Sequence, residues 1–431
     1  MHAYTRRRFL RDLLIGTQAL YLGCGMEGGD GQALEDAGDF GGSDGGGDQG
    51  SDLGSDPGSD RGLEDAFTDP ADARLDGGLA DRGLDPTCPD LTRGTFIDTL
   101  PFSGDAVTFH VPVNTGWDGR LFTDLSLINP DRLITPTPEF FIRTLFPDRL
   151  DLAARMPWRI RVQDSDDLLL DDLLPLARPM GAHVLECSGN SRGRQFGLLS
   201  ACEWTGIPLT EILDRLPQGA PLIEVSGFDD HSTPSANNHS TPGASWIFTR
   251  DQLRHAFLAT AMNGAPLPLD HGFPTRLIVP GWYGCTAIKW VDSLRFHDLD
   301  ALASSQMREF ASRTHQNGTP ALARDYRAAT LDQAAMPIRI ERWQVDGGEV
   351  LRVIGILWGG QQTTGRLSIR LGEGEFEPVA VCPPLVGNAL WTVFEHVWRP
   401  ARPGEHVIRC AIEGVPTRRL DTGYYDRVVV V

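Results

Sequence analysis

The sequence predicts an α+β domain over residues 88–320 followed by an all-β domain over residues 321–431. In the first domain, short β-type apolar runs and stretches with helical periodicity follow each other without regular alternation, which favours α+β over a doubly wound sheet. In the second domain, helical periodicity is lost from Met336 onward, and Gly-rich turns separate several short apolar runs. Two segments of different composition, 1–24 and 25–87, precede the predicted domains.

Residues 1–24 are typical of an export signal. Thr5–Arg11 resembles a twin-arginine signal, and the weakly apolar stretch Leu13–Leu22 follows it. Leu22-Gly23-Cys24 resembles a lipoprotein cleavage box, although Tyr21 fits its first position poorly. We therefore expect export by the twin-arginine route to the periplasm or cell surface, with either a lipid anchor at Cys24 or ordinary signal cleavage nearby. This route carries folded proteins, which suits an enzyme that receives a redox cofactor in the cytoplasm.

Residues 25–87 are dominated by Gly, Asp and Ser, and they carry 17 acidic and 3 basic side chains. Few of these side chains can offset the entropy of ordering, and like charges extend the chain, so the segment is predicted to be a disordered linker. A calcium-binding repeat is the alternative, but the nonapeptide period that it requires is missing.

The net charge of −19 is concentrated in that linker, so the predicted domains are only mildly acidic. The sequence has no basic stripe of the kind that nucleic-acid binding requires. It also has no apolar run near the ~20 residues of a membrane-spanning helix. These patterns argue against a nucleic-acid partner and against a membrane-spanning segment.

Local patterns place the elements of the first domain. Strands are predicted at Ala106–Val111, Trp158–Val162, His183–Cys187, Leu222–Val225 and Arg276–Val279. Helices are predicted at Pro138–Leu145, Leu209–Leu216 and Arg250–Met262.

Seven short strands are predicted in the second domain: Ile338–Trp343, Val350–Leu357, Arg366–Leu371, Val379–Val381, Trp391–Val397, His406–Ile412 and Tyr425–Val431. Seven short strands within about 100 residues indicate an immunoglobulin-like β-sandwich. The polar, Ala-rich stretch 313–335 is predicted to connect it to the first domain.

The seven cysteines are scattered, without a C-x-x-C pair, a C-x-x-C-H haem site or an H-E-x-x-H helix. Zinc and c-type haem therefore lack their usual ligand patterns, and no flavin motif is visible. The odd number of cysteines predicts free or metal-bound thiols.

The segment His183–Arg192 carries the chemistry in our interpretation. A β-type run ends on Cys187, and small turn-forming residues follow at once, which places a side chain at the rim of a cleft. A thiolate is a soft ligand for a redox metal, and nearby arginines favour its ionised form. Taken alone, a cysteine at a strand end is more often a small buried apolar residue.

The same residues offer a rival interpretation, because Gly189–Gly193 fits the G-x-S-x-G nucleophile elbow of serine hydrolases. That motif requires a helix directly after the serine, and Gly193 and Gly197 interrupt the expected helix. The all-β pattern downstream also lacks the further βα units of that fold.

Five blocks in order resemble the molybdopterin domain of sulfite oxidases. They are Leu185–Arg192, Trp204–Leu209, Met262–Pro268, Asp270–Gly281 and Lys289-Trp290. The C-terminal sandwich resembles the domain that these enzymes use for dimerisation. The resemblance covers roughly residues 100–431, and it implies a sulfite-oxidase-type molybdopterin-binding domain, a molybdenum–molybdopterin cofactor and a homodimer.

The resemblance also implies roles for single residues. Cys187 matches the metal-binding cysteine, and Arg143 and Arg192 match arginines near the metal that suit an oxyanion substrate or a pterin oxygen. Six further positions match cofactor-contacting residues: Asp229, His271, Arg276, Ala287, Ile288 and Lys289. For each of these alone, a turn-capping or core role is an equal alternative.

Three departures bear on the substrate. Leu145 stands where the family has a histidine, and Phe310 falls where animal sulfite oxidases have a substrate-pocket tyrosine. The usual tryptophan between Arg192 and Trp204 is missing, with Phe196 nearby.

The resemblance implies oxygen-atom transfer, with sulfite oxidised to sulfate and electrons passed to an external acceptor such as a cytochrome c. The departures leave open a related enzyme acting on another S- or N-oxygenated small molecule. A surface-tethered binding protein that kept the fold but lost the metal is the third hypothesis.

Overall fold

The computed structural model describes residues 94–431, except 147–150, 230–243, 315, 317, 362–363, 382–386, 388 and 416. The predicted export signal, the acidic linker and the anchor Cys24 lie outside the described residues. Within them, no helix is both long and apolar enough to cross a bilayer.

Strands account for most of the regular structure. The described residues form β1 (Thr95–Leu100), β2 (Arg120–Leu121), β3 (Ile142–Arg143), β4 (Arg159–Val162), β5 (Leu168–Leu169), β6 (Arg178–Glu186), β7 (Leu199–Pro208), β8 (Leu222–Gly227), β9 (Ser245–Thr249), β10 (Phe257–Met262), β11 (Ala265–Pro266), β12 (Arg276–Ile278), β13 (Val291–His297), β14 (Ala334–Val345), β15 (Gly348–Trp358), β16 (Leu367–Leu371), β17 (Glu377–Val379), β18 (Thr392–Trp398), β19 (Glu405–Ile412) and β20 (Arg427–Val430).

The helices are short. The α-helices are α1 (Leu170–Leu173), α2 (Thr210–Leu213), α3 (Arg250–Arg254), α4 (Ser305–Glu309) and α5 (Arg418–Asp421). Single 3₁₀ turns lie at Gly116–Asp118, Leu125–Leu127, Thr137–Glu139, Ala153–Arg155, Leu174–Leu176, Arg192–Arg194, Leu269–His271, Gly284–Thr286, Ala311–Arg313 and Ala323–Asp325.

Two five-stranded sheets form the first part of the fold. One has the order β11-β10-β7-β6, with β12 also paired to β10, and the other has the order β5-β4-β13-β8-β9. In the second sheet β4 and β13 run parallel, while β8 is antiparallel to β13. Large buried side chains such as Trp158, Trp246 and Phe248 belong to the core that covers this sheet. Strand β8, which leads to Asp229, therefore rests on a packed apolar layer.

Two four-stranded sheets form the C-terminal part, with the orders β1-β14-β15-β18 and β17-β16-β19-β20. They share one core, to which Ile340 and Val353 contribute from the first sheet and Ile369 and Ile408 from the second. All seven strands predicted here are found. The first sheet also takes in β1, which pairs antiparallel with β14 although some 230 residues separate them. The immunoglobulin-like assignment stays a prediction.

Three local predictions were wrong. Ala106–Val111 forms no strand, and Pro138–Leu145 contains a 3₁₀ turn and the short β3 instead of a helix. In Arg250–Met262 only α3 is helical, and the remainder is strand β10. A capping box starts α3, because the Thr249 hydroxyl accepts from the Gln252 backbone N–H at 3.2 Å and the Gln252 side chain accepts from the Thr249 N–H at 2.9 Å.

Candidate active site

Cys187 directly follows β6, whose last three residues turn into the buried interior. The Cys187 N–H donates to the Leu198 carbonyl at 2.9 Å, which extends the β6–β7 pairing by one residue. The Asn190 N–H then donates to the Cys187 carbonyl at 2.9 Å and closes a turn. Cys187 lines a partly open cavity of about 340 Å³.

The loop after Cys187 returns to the sheet within ten residues. Asn190 is fully buried, and its side-chain oxygen accepts from the Leu198 N–H at 3.1 Å. Gln195 and Phe196 adopt positive φ angles of 49° and 58°, which reverse the chain into β7. A single 3₁₀ turn and a strand thus follow Ser191, whereas a nucleophile elbow requires a helix there.

Three arginines line the cavity near the thiol. Arg120 and Arg143 lie directly opposite each other in the β2–β3 pair, and Arg194 ends the 3₁₀ turn after Cys187. Burial lowers the pKa of Arg120, and the charges of Arg143 and Arg194 lower it further. Cys187 and Asp118 act in the opposite direction on the pKa of Arg120. Guanidinium groups that converge in this way suit an anion.

The Cys187 thiol is tuned by opposing effects. Burial raises its pKa, while the Arg143 charge, a backbone hydrogen bond from Gly189 and the Arg120 charge act in the opposite direction. A thiolate on a metal would be stabilised by the same arginines that face an anionic substrate.

Arg192, which was predicted to act with Arg143, is not among the residues that line this cavity. Its guanidinium donates to the Gly423 carbonyl at 3.3 Å, and Arg427 lies close enough for its own pKa to be lowered by the Arg192 charge, after a larger effect of burial. Arg194, two residues later, occupies the cavity wall.

A second cationic group lies deeper in the cavity. The Lys289 ammonium donates to the carbonyls of Arg143 at 3.0 Å, Thr144 at 2.7 Å and Asp270 at 2.6 Å. Burial, followed by the charge of Arg276, lowers the pKa of Lys289 to about 7. A positive charge buried in this way favours an anion beside it.

Arg276 and His271 stand beside it. The Arg276 guanidinium donates to the His271 and Ala287 carbonyls, both at 3.3 Å, and burial lowers its pKa to about 10. Burial, Lys289 and Arg276 hold the pKa of His271 well below its ordinary value. Two buried atoms, Nε of Arg276 and Nδ1 of His271, have no hydrogen-bond partner. Arg276 lines the cavity, whereas His271 lies behind the lining.

Of the other predicted cofactor positions, two line the cavity and one lies outside the lining. Asp229 and Ala287 line the cavity, and the Asp229 carboxylate accepts from the Ala244 N–H at 3.0 Å. Ile288 is fully buried outside the lining, with its carbonyl accepting from the Leu277 N–H at 2.7 Å. Its contribution is to hold Ala287 and Lys289 against β12.

The residues present fit an anionic, phosphate-bearing pterin. The buried Nε–H groups of Arg276 and Arg120 have no hydrogen-bond partner and suit an anion, and Asp229 offers a carboxylate for a pterin ring N–H. A Cβ at Gly284 would stand 3.3 Å from the Cys187 Cα, so the backbone passes unusually close to the thiol loop. The described residues include no group of three or more His, Cys, Asp or Glu side chains that could hold a metal.

Sequence reasoning missed several residues that line the cavity: Arg120, Phe141, Arg194, Cys285, Gln306 and Glu309. Arg194 lies two positions from the predicted Arg192, so the local run of arginines was the available signal. Phe310 does line the cavity. Leu145 is held away from the lining by a hydrogen bond from its N–H to the Gly116 carbonyl at 2.9 Å.

Comparison with known proteins agrees with this geometry. Residues 150–304 match the family described as the oxidoreductase molybdopterin binding domain, a range that includes Cys187, Asp229 and Lys289. Residues 150–304 therefore form a domain of the molybdopterin-binding oxidoreductase type, and sulfite oxidases are among the proteins to which this chain is similar.

The relatives show how far the similarity extends. The chain is 28% identical to rat mitochondrial sulfite oxidase over 274 residues, which covers 56% of this chain and 48% of the relative. It is 31% identical to the human enzyme over 204 residues, covering 42% and 36%. Spinach NADH nitrate reductase is 27% identical over 183 residues, covering 37% of this chain and 19% of that protein. The chain thus spans half or less of the length of these relatives.

Among solved structures, the sulfane dehydrogenase SoxCD of Paracoccus pantotrophus superposes with a TM-score of 0.51. The match covers 80% of this chain and 88% of that one at 17% identity. At this identity the likeness shows a shared fold, which extends beyond the residues of the family match.

Proposed function

We propose that this protein is a molybdenum-cofactor oxidoreductase that transfers an oxygen atom to a small oxyanion, with sulfite as the first candidate. The observation that carries the proposal is the position of Cys187 in a cavity where Arg120, Arg143 and Arg194 converge. Electrons leave to an external acceptor such as a cytochrome c.

The protein's own residues bind the cofactor and orient the substrate anion. Cys187 supplies a thiolate ligand, while Lys289, Arg276 and Asp229 hold the pterin and its phosphate. Arg120, Arg143 and Arg194 fix the anion by charge and paired hydrogen bonds at the thiol end of the cavity. When bound, the molybdenum–pterin group supplies the two-electron redox chemistry and the transferable oxygen.

The decisive experiment replaces the thiol. Cys187→Ser should leave a folded protein without sulfite turnover and with weakened molybdenum retention, because a hydroxyl is a poor soft-metal ligand. Cys410→Ser is the matched control, since that thiol is buried in β19 of the C-terminal core. Molybdenum content and sulfite turnover are measured on one preparation from a molybdopterin-producing host. Full activity in Cys187→Ser would overturn the proposal.

One observation favours a different substrate. Phe310 lines the cavity and brings no hydroxyl to it, so an anion loses one hydrogen-bond donor there. The second candidate is therefore another S- or N-oxygenated small molecule. Fully loaded enzyme that reduces a sulfoxide or nitrate and fails to oxidise sulfite would favour this candidate.

A metal-free binding protein of the same fold is the remaining hypothesis. Elemental analysis of the same preparation separates it from an enzyme, because a binding protein would carry no molybdenum.

We further propose that the protein is exported by the twin-arginine route and works as a homodimer in the periplasm or at the cell surface. Thr5–Arg11 and Leu22-Gly23-Cys24 support the export route and either cleavage or lipid attachment at Cys24. The intact mass of the mature chain tells these two outcomes apart, and sedimentation measures the oligomeric state.

A further inference from the structure

A second concavity, of about 660 Å³, lies on the sheet of order β5-β4-β13-β8-β9. Ser226, Gly227 and Ser293 lie among its lining residues. Four arginines complete it, and we call this surface the arginine groove: Arg155, Arg159, Arg161 and Arg295.

The groove follows from strand periodicity. In β4, Arg-Ile-Arg-Val alternates between exposed and buried, so Arg159 and Arg161 share the outer face. Ser293 of β13 pairs with Arg161 in parallel register, and Arg295 lies two residues further along β13. Three guanidinium groups therefore come from neighbouring positions on one sheet face.

The groove presents mainly positive charge outward. The side chains of Arg161 and Arg295 are 67% and 49% exposed. Their partner carboxylates lie deeper: Asp292, 3.1 Å from Arg161, is 9% exposed, and Glu224, 3.3 Å from Arg295, is 10% exposed. Asp167 is an exposed carboxylate in the lining. A partner approaching from solvent meets arginines first, so the complementary surface is acidic.

The groove also shares a wall with the cofactor cavity. Asp229 lines both spaces. Phe228 lines the groove and packs against Trp290, which lines the cavity, with ring centroids 5.6 Å apart. The Arg155 guanidinium carbon lies 4.3 Å from the centre of the Phe228 ring on the groove side. Two packed aromatic rings thus connect the cavity to a charged outer surface.

We propose that the arginine groove docks the external electron acceptor, a one-electron redox protein with an acidic face around its cofactor. The inference rests on the proposed function. Oxidation of one sulfite with one water yields sulfate, two protons and two electrons, so two acceptor molecules are each reduced by one electron per turnover. Docking behind Trp290 and Phe228 leaves the arginine-lined end of the cavity free for substrate while a short packed path carries the electrons.

Two forms of one probe test the surface. Succinylated cytochrome c presents carboxylates, whereas native cytochrome c is basic and otherwise the same protein. We expect the loaded enzyme to bind the succinylated form more tightly, with affinity that falls as salt rises. Binding is measured by titration calorimetry without substrate.

The groove variant is Arg159→Glu with Arg161→Gln. It should raise the Kd for succinylated cytochrome c by about tenfold or more. The control variant, Arg254→Glu with Arg402→Gln, makes the same charge change at side chains that are 51% and 65% exposed elsewhere. The control should change the Kd by less than about twofold.

Anaerobic reduction of the enzyme by sulfite, followed by absorbance, needs no acceptor and reports the proposed function separately. The groove variant should keep this step unchanged. Equal weakening in both variants, tighter binding of native cytochrome c, or no binding of either form would overturn the docking proposal. If sulfite fails to reduce the loaded wild-type enzyme while docking is intact, that result counts against sulfite as the substrate and leaves the docking proposal standing.

Discussion

At the scale of single residues, Arg120 and Arg192 differ in whether they reach the cavity. Arg120 faces Arg143 across β2–β3 and lines the cavity, whereas Arg192 donates to the Gly423 carbonyl. We expect Arg120→Gln to raise the KM for sulfite about 10- to 100-fold, the loss of a hydrogen bond between charged groups. Arg192→Gln should raise it much less. Steady-state kinetics of both variants at matched molybdenum content checks this. A larger rise in KM for Arg192→Gln than for Arg120→Gln would show that Arg192 contacts the substrate and would contradict this assignment.

Lys289 makes the stability of cofactor-free protein depend on pH. Its folded-state pKa is about 7, below the ~10.4 of an unfolded lysine. Below pH 7 both states are protonated and the penalty for burying the charge is fully present. Between about pH 7 and pH 10 the unfolded chain holds more protons, so the Lys289 contribution to the free energy of unfolding rises with pH.

Lys289→Met should remove that contribution. The measurement is the difference in the free energy of unfolding between wild type and variant, from urea titrations at pH 6 to 9. The free energy of unfolding of wild type should rise relative to that of Lys289→Met as the pH increases. A bound phosphate would hold the lysine protonated and flatten the slope, whereas equal slopes in the two cofactor-free proteins would contradict the assignment.

Cys187 and Lys289 could be singled out because each lies within a block that resembles the molybdopterin domain of sulfite oxidases, and both line the cavity. Arg120 could not be found in this way. Arg120 precedes no motif. It reaches the cavity through the two-residue pairing of β2 with β3, and both strands lie far from Cys187 in the sequence. Arg194 and Arg192 are equivalent in the sequence, and only the 3₁₀ turn decides which of them faces the cavity.

At the scale of elements, the end of β8 must pass very close to Lys289. A Cβ on Gly227 would lie 2.2 Å from the Lys289 carbonyl oxygen, which is backbone and cannot yield cheaply. Gly227→Ala should therefore cost about 1–3 kcal/mol and lower cofactor content, because Lys289 has to shift. Gly365→Ala meets no atom within 4 Å and is the control. Thermal unfolding and molybdenum analysis check both variants. Equal cofactor content in Gly227→Ala and Gly365→Ala would contradict the inference that the end of β8 positions Lys289.

The elements themselves were predictable where burial and chain pattern agree. All seven C-terminal strands alternate or run apolar over their length, and they form. The predicted helix Arg250–Met262 failed because its second half, β10, lies between β7 and β12, and tertiary pairing outweighs local periodicity. The sequence pattern likewise could not show that β1 belongs to the C-terminal sheet.

At the scale of the whole molecule, Glu186 ties the thiol loop to the C-terminal part. Its buried carboxylate accepts from Tyr425 at 2.9 Å and Trp358 at 3.1 Å and lies 3.5 Å from the Arg419 guanidinium. Glu186→Ala should lower the free energy of unfolding by about 3–5 kcal/mol, since it leaves a buried arginine without its carboxylate.

An exposed ion pair provides the comparison for Glu186. Glu373→Ala removes a carboxylate that is 86% exposed and 2.9 Å from Arg402, and it should cost less than about 1 kcal/mol. Urea unfolding measures both variants. A loss at Glu186 no larger than at Glu373 would mean that the two parts of the fold are held together by apolar packing alone.

The pairing of β1 with β14 and the bridge between Phe102 and Val429 have a biosynthetic consequence. The first strand within the described residues finds its partner β14 only after more than two hundred further residues have been translated. Val429 of β20 completes that neighbourhood, so the sheet closes only after β20 has emerged from the ribosome. A nascent chain stalled before Arg427 should therefore lack this closure, and cofactor loading that needs the closed sheet should follow synthesis of β20.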